Sequence, residues 1–136
     1  MTQRYPRGHR TQLQAAIFAG GVVGALARAG LTRAFPFHGH GWPWATLIAN
    51  VAGTAALAYF TTRLQERLPP STYRRPLLGT GFCGALTTFS TFQVELLELV
   101  RHDHLWTAAG YLLVSASAGL AALHLTTALT RRARLW

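Results

Sequence analysis

The sequence predicts an all-α membrane protein of four transmembrane helices, the third broken at its middle. Three observations carry this. Charged residues are only 12% of the 136-residue chain, about half the roughly 25% of a soluble domain. The apolar residues gather into four runs, each long enough to cross a bilayer core at about 1.5 Å per residue. The third run, Pro76 to Val94, has no charge but is crowded with glycine, serine and threonine, which weaken a helix.

The first helix is expected over about residues 13–35. Its basic flank, Arg4, Arg7 and Arg10, followed by an apolar stretch and Ala25-Leu-Ala27, also fits a cleaved signal peptide. Gly20 and Gly24 favour the membrane helix, because a small-xxx-small pair suits close helix packing. Arg28 falls late in the run, where it can snorkel to the interface or meet a partner. The second helix, about 44–62, carries Thr46 and Asn50 four apart and so on one face. An asparagine at membrane depth needs a partner. It either bonds a neighbouring helix or offers its amide donors to an anion.

The third helix, about 76–100, holds Gly79-Thr-Gly-Phe-Cys-Gly-Ala-Leu-Thr-Thr-Phe-Ser-Thr-Phe92. A loosened helix strands backbone N–H and C=O groups that lipid cannot satisfy, so such a break belongs inside protein or beside a watery path. Transporters use such breaks to present carbonyls and helix ends to ions. Phe89 and Phe92 share a face. They either pack or turn the positive edges of their rings to an anion. Glu95 and Glu98 stand toward one end of this run. The fourth helix, about 105–130, puts Tyr111 and Ser115 on one face, with Gly119 beyond. The connections are short, and 1–136 reads as a single four-helix domain.

Charge and composition exclude several classes. Every one of the 13 basic residues is arginine and the net charge is +9, with a pI of about 11.5 and a mean hydropathy of +0.20. The arginines flank apolar runs rather than lining one face, so they suit anionic headgroups and argue against a nucleic-acid partner. No phosphate-binding Gly-x-x-x-x-Gly-Lys motif is present, and an enzyme is not expected. A small proton-coupled multidrug exporter would need a carboxylate in its first helix, and none is there. The pairs His38-Gly-His40 and His102-Asp-His104 invite a metal, but short loop pairs of this kind are ordinarily solvated. Cys83 is alone.

Four motifs taken together resemble the Fluc family of fluoride channels, also called CrcB. They are Gly20-Gly-Val-Val-Gly-Ala-Leu-Ala-Arg28, Thr46-Leu-Ile-Ala-Asn50-Val-Ala-Gly53, Gly81-Phe-Cys-Gly-Ala-Leu-Thr-Thr-Phe-Ser-Thr-Phe92 and Tyr111-Leu-Leu-Val-Ser115. They cover about Ala15 to Leu123. The resemblance implies an antiparallel dual-topology-type dimer with two pores, fluoride as the ion, and passive export from the cytoplasm across the inner (plasma) membrane. It implies Asn50, Phe89, Phe92, Ser90, Thr91, Tyr111 and Ser115 as pore-lining residues, with Thr46 near Asn50. Arg28 is implied at the vestibule. A structural, untransported Na⁺ at the dimer centre is implied to sit on the backbone carbonyls of Gly84 and Thr87. Gly119 departs from the pattern, since relatives often carry a hydroxyl there.

The arginine distribution bears on orientation. Outside the helices, Arg4, Arg7, Arg10, Arg63, Arg67, Arg74, Arg75, Arg131, Arg132 and Arg134 fall on one expected side, and only Arg33 and Arg101 on the other. Such a bias places both termini in the cytoplasm. It leaves two forms of dimer open, one with itself and one with an oppositely oriented homologous subunit.

Overall fold

The computed structural model describes residues 7–66 and 73–133; Arg4, Arg67 and Arg134 of the orientation argument lie outside them. The described residues are helical throughout, apart from short connections. In chain order they form α1 (Arg7–Ala34), α2 (Trp44–Glu66), a π-helix (Pro76–Cys83), α3 (Gly84–Leu86), α4 (Phe89–Arg101) and α5 (Leu105–Arg132). The first, second and fourth expected helices are present; α1 begins six residues before its expected start, and α2 and α5 run four and two residues past their expected ends. Three stretches, Arg10–Ala34, Trp44–Leu64 and Leu105–Arg132, are long and apolar enough to cross a membrane. The third expected helix is in pieces, so no one of them has the length to span alone.

Glycines set how the pieces pack. A Cβ at Gly20 would lie 2.0 Å from the Leu77 carbonyl oxygen, and one at Gly24 2.2 Å from that of Phe82. From the other side, a Cβ at Gly81 would lie 2.5 Å from the Ile17 oxygen. Backbone therefore meets backbone between α1 and the π-helix, as the Gly20–Gly24 spacing predicts. The π-helix is wound one residue wider than an α-helix; at its end the Gly84 N–H reaches the carbonyls of Gly79 and Gly81. Such segments recur at functional sites.

The chain reverses twice at one end of the bundle. Between α1 and α2, Gly39 and Gly41 take φ of +77° and +81°, a region open to glycine at little cost. Between α4 and α5, Asp103 takes φ +61°, which aspartate tolerates better than most residues. The two turns touch, because the His102 ring sits where a Gly39 side chain would be. Among the described residues, however, no three metal-binding side chains converge there or elsewhere.

The buried core is small and sits between α2, α4 and α5. Leu47, Leu99, Ala108 and Tyr111 form it, with Trp42, Val51, Phe92 and Leu96 packed around. Much apolar surface points outward instead, including Phe18, Leu26, Leu113, Leu120, Leu125 and Leu129. Such surface suits lipid or another subunit rather than water.

Candidate functional site

The break between α3 and α4 organises the site. Thr87 and Thr88 are extended, with ψ of 151° and 126°. Asn50 of α2 takes both main-chain groups of Thr88. Its Oδ1 accepts the Thr88 N–H at 2.8 Å and its Nδ2 donates to the Thr88 carbonyl at 3.0 Å. In a continuous helix the Thr88 N–H would serve Gly84, and the Thr91 N–H would serve Thr87. The Thr91 N–H goes to Thr88 Oγ1 at 3.2 Å instead, so Thr88 is the N-cap of α4. The carbonyls of Gly84 and Thr87 thereby lose their ordinary helical donors. A cavity of about 360 Å³, lined in part by Asn50, Gly53, Gly84, Thr87 and Phe89, opens at this point. Gly53 makes room for the Thr87 side chain, since a Cβ there would meet Thr87 Cγ2 at 2.3 Å.

From the break a row of aromatic rings crosses the core. Phe89 and Phe92 stack at 6.2 Å with 27° between their planes. Phe92 meets Tyr111 at 5.0 Å, and Tyr111 meets Trp42 edge-to-face at 5.9 Å. Phe89 is 71% exposed, so its ring is not held by the core of its own chain.

Glu95 is a candidate site residue to which the sequence reading gave no role. Read from sequence only as standing toward one end of the third segment, it is buried at 6% exposure. Thr46 Oγ1 donates to its Oε1 at 2.7 Å and the Tyr111 hydroxyl to its Oε2 at 2.8 Å. The signal was available: Phe92 and Glu95 are three apart, so a helix that turns Phe92 inward turns Glu95 inward too. Thr46 and Tyr111 thus spend their hydroxyl protons on a carboxylate.

The other expected residues divide. Thr91 Oγ1 accepts from Thr88 Oγ1 at 3.0 Å, which leaves its own proton to give. Ser90 Oγ lies 3.3 Å from Thr88 Oγ1 and is exposed. Ser115 Oγ is buried and has no hydrogen-bond partner. Gly119 has open space around its α-carbon, which suits a gap in the polar track. Arg28 lines a cavity of about 330 Å³ together with Thr32, Arg33, Thr46, Thr88 and Thr91. Arg33, which entered the sequence reading only through the orientation argument, stands in the last turn of α1 and lines the same space as Arg28.

These side chains bring hydroxyls, an amide and aromatic rings together around the break and the core beside it. The long apolar helices and the broken third segment suit a helical membrane protein. The comparisons narrow this. Residues 15–127 match the family model described as "CrcB-like protein, Camphor Resistance (CrcB)". The chain is 58% identical over 121 residues to "Fluoride-specific ion channel FluC 1" of Mycolicibacterium paratuberculosis, covering 89% of this chain and 92% of that one. It is 57% identical over 122 residues to the protein of the same name from Mycobacterium tuberculosis, with the same shares covered. It is 37% identical over 118 residues to "Fluoride-specific ion channel FluC" of Chlorobium phaeobacteroides, covering 87% and 90%. The chain belongs to the CrcB, or Fluc, family.

Proposed function

We propose that the chain is the subunit of a fluoride-selective channel, through which cytoplasmic fluoride leaves passively and its toxicity falls. The observation that carries this is likeness, over nearly the whole length, to proteins named as fluoride-specific ion channels. It is not an enzyme. Fluoride is small and strongly hydrated, so a selective path must replace its water with many donors in little space. Asn50, Thr91 and Ser115 supply N–H and O–H groups, and Phe89 and Phe92 supply ring edges. Ser90 adds a hydroxyl at the exposed side, Thr46 and Tyr111 hold Glu95, and Arg28 draws anions to the vestibule.

The third segment is the fourth membrane crossing, made by the π-helix, α3 and α4 in series. Its loosened carbonyls argue for a second subunit, because hydrocarbon cannot satisfy them. An antiparallel dimer covers them and yields two pores. The carbonyls of Gly84 and Thr87, both without helical donors, fit a hard cation. Contributed by two subunits, they would hold a structural Na⁺ that neutralises their oxygens and is not transported. The arginine bias favours both termini in the cytoplasm, and export of cytoplasmic fluoride calls for the inner (plasma) membrane. The partner is then an oppositely oriented homologue, or a second copy if insertion is mixed.

Fluoride efflux from liposomes holding the purified chain tests the reading, with chloride as control. Fluoride release without chloride release is the expected result. No release from the chain alone, but release when a homologous subunit is co-reconstituted, identifies the heterodimer. No release in either case overturns the channel reading.

A further inference from the structure

We infer that the indole N–H of Trp42 is a further anion-contacting donor of the pore, at the end of the ring row away from the break. The inference rests on the channel reading above. Two buried side-chain polar atoms among the described residues have no hydrogen-bond partner, Trp42 Nε1 and Ser115 Oγ. An indole N–H can only donate, and buried donors are almost always paired in native proteins. An unpaired one therefore calls for an acceptor that arrives from outside the chain, and an anion is such an acceptor.

Position supports this choice. Both orphaned groups attend Tyr111. The Trp42 ring meets the Tyr111 ring edge-to-face, and Ser115 follows Tyr111 by four residues on α5. The rings Phe89, Phe92, Tyr111 and Trp42 form one uninterrupted row. Trp42 extends the two phenylalanines of the proposed path by two members and brings a stronger donor than a ring edge. The indole is also held in place. Its ring lies against Gly110, where a Cβ would be 3.7 Å from Trp42 Cζ3, and against Trp44 at 6.0 Å. A clamped donor is preorganised for a small ion that tolerates little misplacement.

The test uses the indole N–H as its own reporter. The chain is labelled with ¹⁵N-tryptophan in lipid nanodiscs and titrated with fluoride or chloride. The Trp42 resonance is identified in a W44F/W106F/W136F variant that keeps only this tryptophan. The expected result is a saturable downfield shift of the Trp42 N–H with fluoride and none with chloride. Trp42→Phe keeps an aromatic ring on Tyr111 and removes the donor. Its fluoride flux is expected to fall about tenfold or more, as loss of one hydrogen bond to a charged group implies. A Trp42 resonance that ignores fluoride while the labelled protein conducts it overturns the inference and leaves the channel reading standing. Wild-type flux in a folded Trp42→Phe variant overturns it equally. Absence of fluoride conduction in wild type, with or without a homologous subunit, overturns the channel reading and this inference with it.

Discussion

Asn50→Asp separates the two tasks this residue performs. Aspartate keeps the size of the side chain and an acceptor for the Thr88 N–H, now bonded at 2.8 Å. It replaces the donor that meets the Thr88 carbonyl at 3.0 Å by a second oxygen. Leaving that carbonyl unpaired costs about 1–3 kcal/mol. The larger effect is electrostatic. A carboxylate about 4 Å from a fluoride, at an effective dielectric of about 20, opposes it by about 4 kcal/mol, a loss of occupancy of roughly a thousandfold. Asn50→Ala makes the opposite trade. It adds no charge but strips both Thr88 groups of their partner, so it costs about 2–6 kcal/mol. The assay pairs liposome fluoride efflux, read with a fluoride electrode, with a thermal midpoint in detergent. The expected order is efflux falling most in Asp and midpoint falling most in Ala. Wild-type efflux in a folded Asn50→Asp protein would refute the placement of Asn50 on the anion path.

The remaining expectations are of the same kind. Phe89→Ile should cut fluoride efflux with little change in midpoint, because the ring is 71% exposed, whereas Phe92→Ile should also lower the midpoint by losing the contact with Tyr111, worth about 0.5–1.5 kcal/mol; wild-type efflux in both would reduce the rings to packing. Gly81→Val should lower the thermal midpoint, since even a Cβ would stand 2.5 Å from the Ile17 carbonyl oxygen and overpacking costs about 1–3 kcal/mol; an unchanged midpoint would show that α1 gives way at little cost. Thr46→Val should weaken the bundle by roughly 1.5–3 kcal/mol through a lost bond to a charged group, and an unchanged midpoint would show that Glu95 finds another donor. Reporter fusions at Trp136 should place the C-terminus in the cytoplasm, and equal signal from both sides would instead indicate dual insertion.

Much of the fold was legible because it rests on patterns of residue type. The apolar runs give α1, α2 and α5 directly, and Gly20 and Gly24 announce the close approach that the π-helix completes. The third segment was legible as weak and not as wound wide. Glycine and hydroxyl content says that a helix loses stability, but it does not say where the chain relieves the strain. Here the relief is divided between a π-helix over Pro76–Cys83 and an extended step at Thr87–Thr88. The position of that step depends on Asn50, which lies 38 residues away in sequence, and no local propensity reports such a partner.

The site was legible as a set of residues and not as an allocation of protons. Sequence shows that Thr46, Tyr111, Thr91 and Ser115 each own one hydroxyl hydrogen. It does not show which acceptor takes it. In the folded chain Glu95 takes those of Thr46 and Tyr111, while Ser115 and Trp42 keep theirs unspent. On the channel reading proposed above, this allocation decides which groups can serve an anion. A hydroxyl committed to a carboxylate gives nothing to fluoride until that bond opens, and an unspent donor gives its full hydrogen bond at once. Glu95 therefore divides the polar residues into two groups that look alike in sequence. Glu95→Gln changes the first group and leaves the second as it is. Its amide oxygen still accepts one hydroxyl, but its NH₂ cannot accept the other, so one hydroxyl is released toward the path. If passive conduction is limited by donor supply, Glu95→Gln should keep or raise fluoride efflux. If conduction requires the carboxylate, efflux should fall although the fold and the ring row persist, and the thermal midpoint measured beside it tells that loss from unfolding.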